Sequence, residues 1–426
     1  MSNLKKKDLF PALRFPEFRS LEGWDRFKLI DVADKNTKWS FIGGPFGSNL
    51  KSSDYVEKGI RIIQLQNIGD GEFKEEYRIF TTIKKADELL ANNIYPGNII
   101  ISKMGDPVGR ACIIPDTHDR YVMCSDGIRL VVDEKLHSKY FIYCVINDNK
   151  FRSTIEKSAT GSTRKRIGLD DLKKLPMFLP FKAEQQKIAD CLSSIDNLIT
   201  AHNQKLEAIK DHKKGLMQQL FPAEGETVPK LRFPGFRGEW RETTLGEVVE
   251  YENGKAHEKD IDEKGEFIVV NSKFISTEGG VVKYTNSANL LAAKNDILMV
   301  LSDIPNGRAI AKCFYVEEDR RYTVNQRISK LTAKDAVSKL MFYLINKNPY
   351  FLAFDDGVKQ TNLKKDDVLD CPIFLPTDKR EQQKIADCLS FFDNLTTAQI
   401  QKIESLKSHK KGLMQQLFPS VDEVGV

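Results

Sequence analysis

The residues of this sequence best suited to chemistry on a ligand form a glycine-bearing run at 160–166: Thr160, Gly161, Ser162, Thr163, Arg164, Lys165 and Arg166. Hydroxyls, backbone amides and three adjacent cations suit phosphate oxygens, and arginine also reads guanine edges. A positional counterpart, with Lys359, Gln360, Asn362 and Lys364 after Gly357, occurs in the second half of the chain. Gln64, Gln66 and Asn67, and Asn271 with Lys273, follow short apolar runs and could supply amide readout of adenine. Lys103 adds a cation, as do Arg110 and Arg308 of two Gly-Arg-Ala triplets. For any one of these residues a solvated side chain is the plainer reading. Together they predict a surface facing DNA.

Reaction chemistry is not expected of this chain. Gly254-Lys255-Ala256 lacks the upstream glycine and the hydroxyl residue of a phosphate-binding loop, so ATP hydrolysis is unsupported. Residues 41–47, Phe-Ile-Gly-Gly-Pro-Phe-Gly, resemble a cofactor-binding glycine loop, but Pro45 interrupts it and no strand-to-helix context surrounds it. Asp133, Glu134 and Lys135 resemble part of a nuclease site, a triplet expected by chance in so charged a chain. The 6 histidines show no metal or triad spacing. Cys112, His118 and Cys124 are evenly spaced but lack the tight pairing of structural zinc ligands, so no metal is expected. The 7 cysteines form no C-x-x-C pair, which predicts free thiols in a reducing cytoplasm. No apolar run approaches the roughly 20 residues that span a bilayer, and the start of the chain does not read as a signal peptide. Residues 1–222 carry 36 Lys and Arg against 29 Asp and Glu, the remainder 29 against 31. So small an excess permits nucleic-acid binding without demanding it, and local patches or a partner must supply the footprint.

The elements that would position these loops come from a repeat. Residues 184–222 and 381–419 are identical at 30 of 39 positions, at a constant offset of 197. Leu-Pro-Met-Phe-Leu-Pro before the first copy answers Cys-Pro-Ile-Phe-Leu-Pro before the second. A second repeated block, L-R-F-P-x-F-R followed by tryptophan, opens each unit at 13–24 and 231–240. Residues 25–174 and 241–370 share only fragments. The chain is therefore two near-identical frames holding two different inserts, as expected of a protein presenting two reading heads.

In the first frame Ile188, Leu192, Ile195, Ile199, Leu206, Ile209, Leu216 and Leu220 alternate at steps of four and three, with His202 and Lys213 in the two missing slots. Ile385, Leu389, Phe392, Ile403, Leu406, Leu413 and Leu417 repeat the register, with Thr396, Gln399 and Lys410 in polar slots. This heptad seam predicts two long helices in a coiled coil, bounded by prolines. Packing on the adjacent domain alone is the plainer alternative, but a seam this long predicts an antiparallel, pseudo-twofold pairing of the two copies. A 39-residue helix is about 58 Å long, against half-sites ~34–36 Å apart on one DNA face, so the rod could act as a ruler. The runs at 60–65, 267–270, 97–102 and 295–300 predict strands, and 138–147 and 338–346 short helices. The fold class is α+β: two α+β insert domains (25–180 and 241–376) joined by two long helices (181–222 and 377–426) that form an antiparallel coiled coil, with repeated opening segments at 1–24 and 223–240.

The doubled E-Q-Q-K-I-A segments after L-P-x-F-L-P, the G-L-M-Q-Q-L-F-P helix ends, the L-R-F-P-x-F-R openings and the Gly-Pro-Phe-Gly-Ser turn at 44–48 resemble the specificity subunits of type I restriction–modification enzymes over essentially the whole chain. The resemblance implies that each insert reads one half of a split double-stranded DNA target. It implies that the helices dock two modification subunits, which bring S-adenosylmethionine and methylate adenine N6. Two restriction subunits would add ATP- and Mg2+-dependent translocation and cleavage. It implies no cofactor on this chain, no membrane partner and a cytoplasmic location. A coiled-coil scaffold with heads that never touch DNA, or a self-contained restriction–methylation enzyme, are the alternatives.

Overall fold

Two helices of 39 residues, Lys182–Leu220 and Lys379–Leu417, occupy the repeated blocks. Both start just after Leu-Pro and stop just before Phe-Pro, where proline cannot continue a helix. The computed structural model describes residues 9–161, 164–223, 225–257, 259–305, 307 and 309–419. Ser162, Thr163 and Arg308 thus lie outside the described residues. None of the described helices is long and apolar enough to cross a membrane.

The chain forms two compact units that cut both helices in the middle: residues 1–203 with 402–426, and residues 204–401. Each unit holds one insert, the first half of the helix that follows it and the second half of the other helix. In the first unit Ile188 and Leu192 share a core with Leu417 and Phe418, and Asp196 meets Lys410 further along. In the second unit Leu220 packs with Ile385 and Leu389, and Lys213 meets Asp393. Ascending one helix descends the other, so within each unit the helices run antiparallel. Every seam position is buried or half-buried, including Ile195, Ile199, Leu206, Ile209, Leu216, Phe392, Ile403, Leu406 and Leu413. The helices also pack on the inserts, so the coiled-coil reading and the plainer one both describe part of what forms.

The two inserts share a topology that their sequences do not display. In the first, a four-stranded antiparallel sheet runs in the order Phe41–Gly43, Gly127–Leu130, Ile99–Ser102, Ala111–Ile113. In the second, Val249–Asn253, Ile328–Ala333, Ile297–Val300 and Cys313–Tyr315 take the same order. Ile99–Ser102 and Ile297–Val300 are central and wholly buried, which explains their unbroken apolar runs. A second sheet in each unit centres on a parallel pair, Ile60–Ile63 with Tyr121–Met123 and Phe267–Val270 with Tyr322–Val324. The short helices form at Lys139–Asn147 and Ser338–Ile345.

The repeated blocks tie each insert to its helices. Arg14 donates from Nε and Nη2 to the two carboxylate oxygens of Glu184, at 2.8 and 2.7 Å. Arg232 does the same to Glu381, at 2.7 and 2.8 Å. The next residue, Gln185 or Gln382, accepts a backbone N–H at the start of the insert's helix, from Ser138 or Val337. Strand Asp25–Lys28 pairs with Pro176–Leu179, and Arg241–Thr244 with Pro372–Leu375. The two repeated motifs are thus the two halves of one joint.

Candidate nucleic-acid interface

The predicted contact residues of the first unit converge on loops at one end of its central sheet. Gly44 donates its N–H to the Gly127 carbonyl at 2.7 Å. A Cβ there would lie 1.7 Å from the Cys124 carbonyl oxygen, so only glycine fits. Cys124 N–H in turn reaches the Ile63 carbonyl, which brings the 64–66 segment beside the 124–127 turn. Lys103 N–H donates to the Asp126 carbonyl at 2.7 Å. Thr160 and Arg166 exchange backbone hydrogen bonds of 2.9 and 2.8 Å, which join the two ends of the 160–166 run. Gly105 N–H to the Lys165 carbonyl and Ile167 N–H to the Lys103 carbonyl dock that run on the 103–110 loop.

These bonds set the loop that carries Lys103 and Arg110 against the residues Thr160, Arg164, Lys165 and Arg166, while Gln66 stands exposed on the 64–66 segment. Thr160, Arg164, Lys165 and Arg166 are exposed. Their acid partners are distant: Arg166–Asp126 is 3.7 Å and Lys165–Glu156 3.9 Å, both largely solvated. Such pairs contribute at most ~1 kcal/mol and leave the cations available to phosphate. Arg110 lies across the 103–110 loop, its Nε buried and without a hydrogen-bond partner. Burial pushes the Cys124 thiol up to about 11. Cys112 packs in the hydrophobic core and His118 stacks against Phe80 and Tyr121.

One expectation is corrected here. Asn67 is fully buried; its amide donates to the Lys74 and Tyr77 carbonyls and its Oδ1 accepts from Gln64 N–H, so it builds the loop and cannot face a base. Gln64 is half-buried, with its amide donated to the Tyr55 hydroxyl. The run at 41–47 is a strand followed by a turn, with no α-helix after it.

The second unit repeats the arrangement with other residues. Gly254 N–H reaches the Ile328 carbonyl, Asn325 N–H the Val270 carbonyl, and Leu301 N–H the Arg327 carbonyl. Strand Ser302–Asp303 pairs with Thr361–Asn362, and the Gln360 amide donates to Ser302 Oγ. Asp303 accepts the N–H groups of Ile304, Ala309 and Ile310, which ties these residues to one carboxylate. Lys273, Lys359, Gln360, Asn362 and Lys364 are exposed. Asn271 instead caps a short helix, accepting the Phe274 N–H. Lys255, Gln326 and Arg327 also lie exposed on these turns and escaped the sequence reading. The Asn-Gln-Arg turn between two strands was the available signal.

Comparison with known proteins decides what such a pair of loop clusters belongs to. The family model described as the Type I restriction modification DNA specificity domain matches residues 21–211 and again 237–406. The chain belongs to that family. It carries that specificity domain twice. The MjaVIII specificity subunit of Methanocaldococcus jannaschii is 26% identical over 212 residues, 47% of this chain and 45% of that protein. The HindI specificity subunit of Haemophilus influenzae is 22% identical over 207 residues, 47% of this chain and 41% of that protein. Each match thus spans under half of the relative's length. The fold is that of the type I S subunit from M. genitalium, with a TM-score of 0.59 at 17% identity, covering 96% of this chain and 99% of the other. A chain from work on complex assembly and conformational transition of the type I R-M system gives 0.55 at 14% identity, covering 93% and 98%.

Proposed function

We propose that this specificity subunit reads a two-part double-stranded DNA target, one half with each unit's loop cluster. The observation that carries this reading is the pairing of one loop architecture with two different sets of side chains, on frames that are nearly identical. Shared architecture places each cluster on the duplex, and the differing side chains select bases. The loops at 103–110 and 160–166 act on one half, and those at 254–255, 302–310, 325–328 and 357–364 on the other. Each long helix runs from one unit into the other, so its length sets the unread stretch between the halves. Its polar faces dock two modification and two restriction subunits in the cytoplasm. S-adenosylmethionine, ATP and Mg2+ are bound by those partners.

Binding of the full chain to duplex DNA should weaken steeply with salt, since neutralised phosphates release counterions. Exchanging residues 25–174 for another insert should change one half of the methylated target in the assembled complex and leave the other intact. Absence of salt-dependent binding would overturn the reading in favour of a scaffold, and a change in both halves would overturn the assignment of one half to each unit. Methyl transfer by the isolated chain would overturn the reading in favour of a self-contained enzyme.

A further inference from the structure

The three most exposed large hydrophobic side chains among the described residues are Phe46 at 83%, Val358 at 75% and Ile304 at 69%. All three sit on the loop clusters described above. Phe46 tips the 44–47 turn that starts beside Gly127, Val358 precedes Lys359, and Ile304 follows Asp303. Local hydrogen bonds hold each in place. Asn49 N–H donates to the Phe46 carbonyl at 2.8 Å, Ile304 N–H to the Asp303 carboxylate at 2.9 Å and Val358 N–H to the Asp356 carboxylate at 2.9 Å.

Burying an aromatic or branched aliphatic side chain is favourable, so a tip held open in water leaves apolar contact area unused. A protein or lipid partner would fit a contiguous apolar patch. Here single apolar tips stand near cations and amides: the turn that carries Phe46 and the backbone of Lys103 both bond to residues 126–127, where Arg166 reaches Asp126 at 3.7 Å, while Lys359 and Gln360 follow Val358. That mixture suits a polyanionic duplex. In its grooves apolar side chains pack on thymine methyl groups or wedge into base steps.

We propose that Phe46 in the first unit, and Ile304 and Val358 in the second, make apolar contacts with the bases of their respective half-targets. This rests on the reading of the loops as a DNA face. It adds base-edge selection of a kind that neither phosphate contact nor amide pairing provides.

The test uses the full chain and a duplex carrying the target found by mapping its methylated sites. Deoxyuridine replaces thymine, or 2-aminopurine replaces adenine, in one half at a time. Phe46→Ala should weaken binding about tenfold or more and abolish the response to uracil, or the 2-aminopurine fluorescence change, in one half only. Ile304→Ala with Val358→Ala should do so in the other half. Phe46→Leu should retain part of the affinity. A uracil effect assigns methyl contact and a fluorescence effect assigns a wedge; either supports the proposal. Unchanged affinity with unchanged responses in both halves overturns it, as does a Phe46→Ala chain that binds DNA normally but fails to assemble with its modification subunits. If wild-type binding shows no salt dependence, the DNA reading itself fails. If it does, and neutralising Arg164, Lys165 and Arg166 weakens it while Phe46→Ala does not, only this inference falls.

Discussion

Glu184→Ala should open the first unit and leave the second closed. Glu184 is 1% exposed and accepts both forks of Arg14, which is itself only 6% exposed. The Trp24 indole N–H reaches the same carboxylate at 3.4 Å. Removing the carboxylate leaves the guanidinium, among the described residues, bonded to the Leu21 and Glu22 carbonyls and strands a buried charge. Losing one partner of a buried pair costs about 3–5 kcal/mol. At ~1.4 kcal/mol per tenfold, that is roughly two to three and a half orders of magnitude in the opening equilibrium. Hydrogen exchange read by mass spectrometry resolves the units: peptides from 25–180 should exchange faster by that factor, and those from 241–376 should not change. Arg14→Met combined with Glu184→Leu removes both charges at similar volume and should lie within about 1 kcal/mol of wild type, because the desolvation cost disappears with the pair. A single variant as stable as wild type, or a double variant as unstable as the single, would refute the argument.

Two further outcomes test the joints between inserts and helices. In each unit a tyrosine of the insert's helix donates to a helix aspartate that also pairs with a lysine of the opposite helix: Tyr140, Asp196 and Lys410, or Tyr343, Asp393 and Lys213. Burial pushes both tyrosines far above their ordinary range and keeps them as donors; Tyr140→Phe and Tyr343→Phe should each cost ~1 kcal/mol, measured as local exchange in their own unit. His137 is held below the usual histidine range, chiefly by burial. A buried neutral imidazole binds fewer protons than the unfolded chain, so its contribution to the first unit is full above about pH 6.5 and is lost as pH falls towards the lowered value; exchange at pH 7.0 and 5.5 should show this loss in wild type and a smaller one in His137→Gln.

Much of the frame was legible because it rests on periodicity and repetition. The seam residues recur at fixed steps whatever packs against them, and prolines mark the helix ends. The 160–166 loop was legible because glycine, hydroxyls and cations rarely serve a core. Asn67 misled because a polar residue after a strand looks the same whether it faces water or satisfies three backbone groups; only the path of residues 74–77 decides. Arg327 and Lys255 were missed because their exposure depends on strand pairings far apart in the chain. The common topology of the inserts was hidden for a related reason. A sheet order is set by which apolar runs pair, and pairing leaves little trace in side-chain identity.

The division of both helices between units bears on synthesis. The second unit is one continuous stretch, complete once residue 401 is made. The first is not: Trp24 and Phe141 pack edge-to-face against Phe418, with ring centroids 6.3 and 5.6 Å apart, and Leu13 N–H bonds to the Gln416 carbonyl. After residue 203 emerges, about 200 more residues must be translated before that core can close, roughly 10–40 s at 5–20 residues per second. For that interval the first-made half of the protein keeps an apolar floor open to chaperones and to neighbouring nascent chains, and the second unit, complete at residue 401, seals only shortly before it.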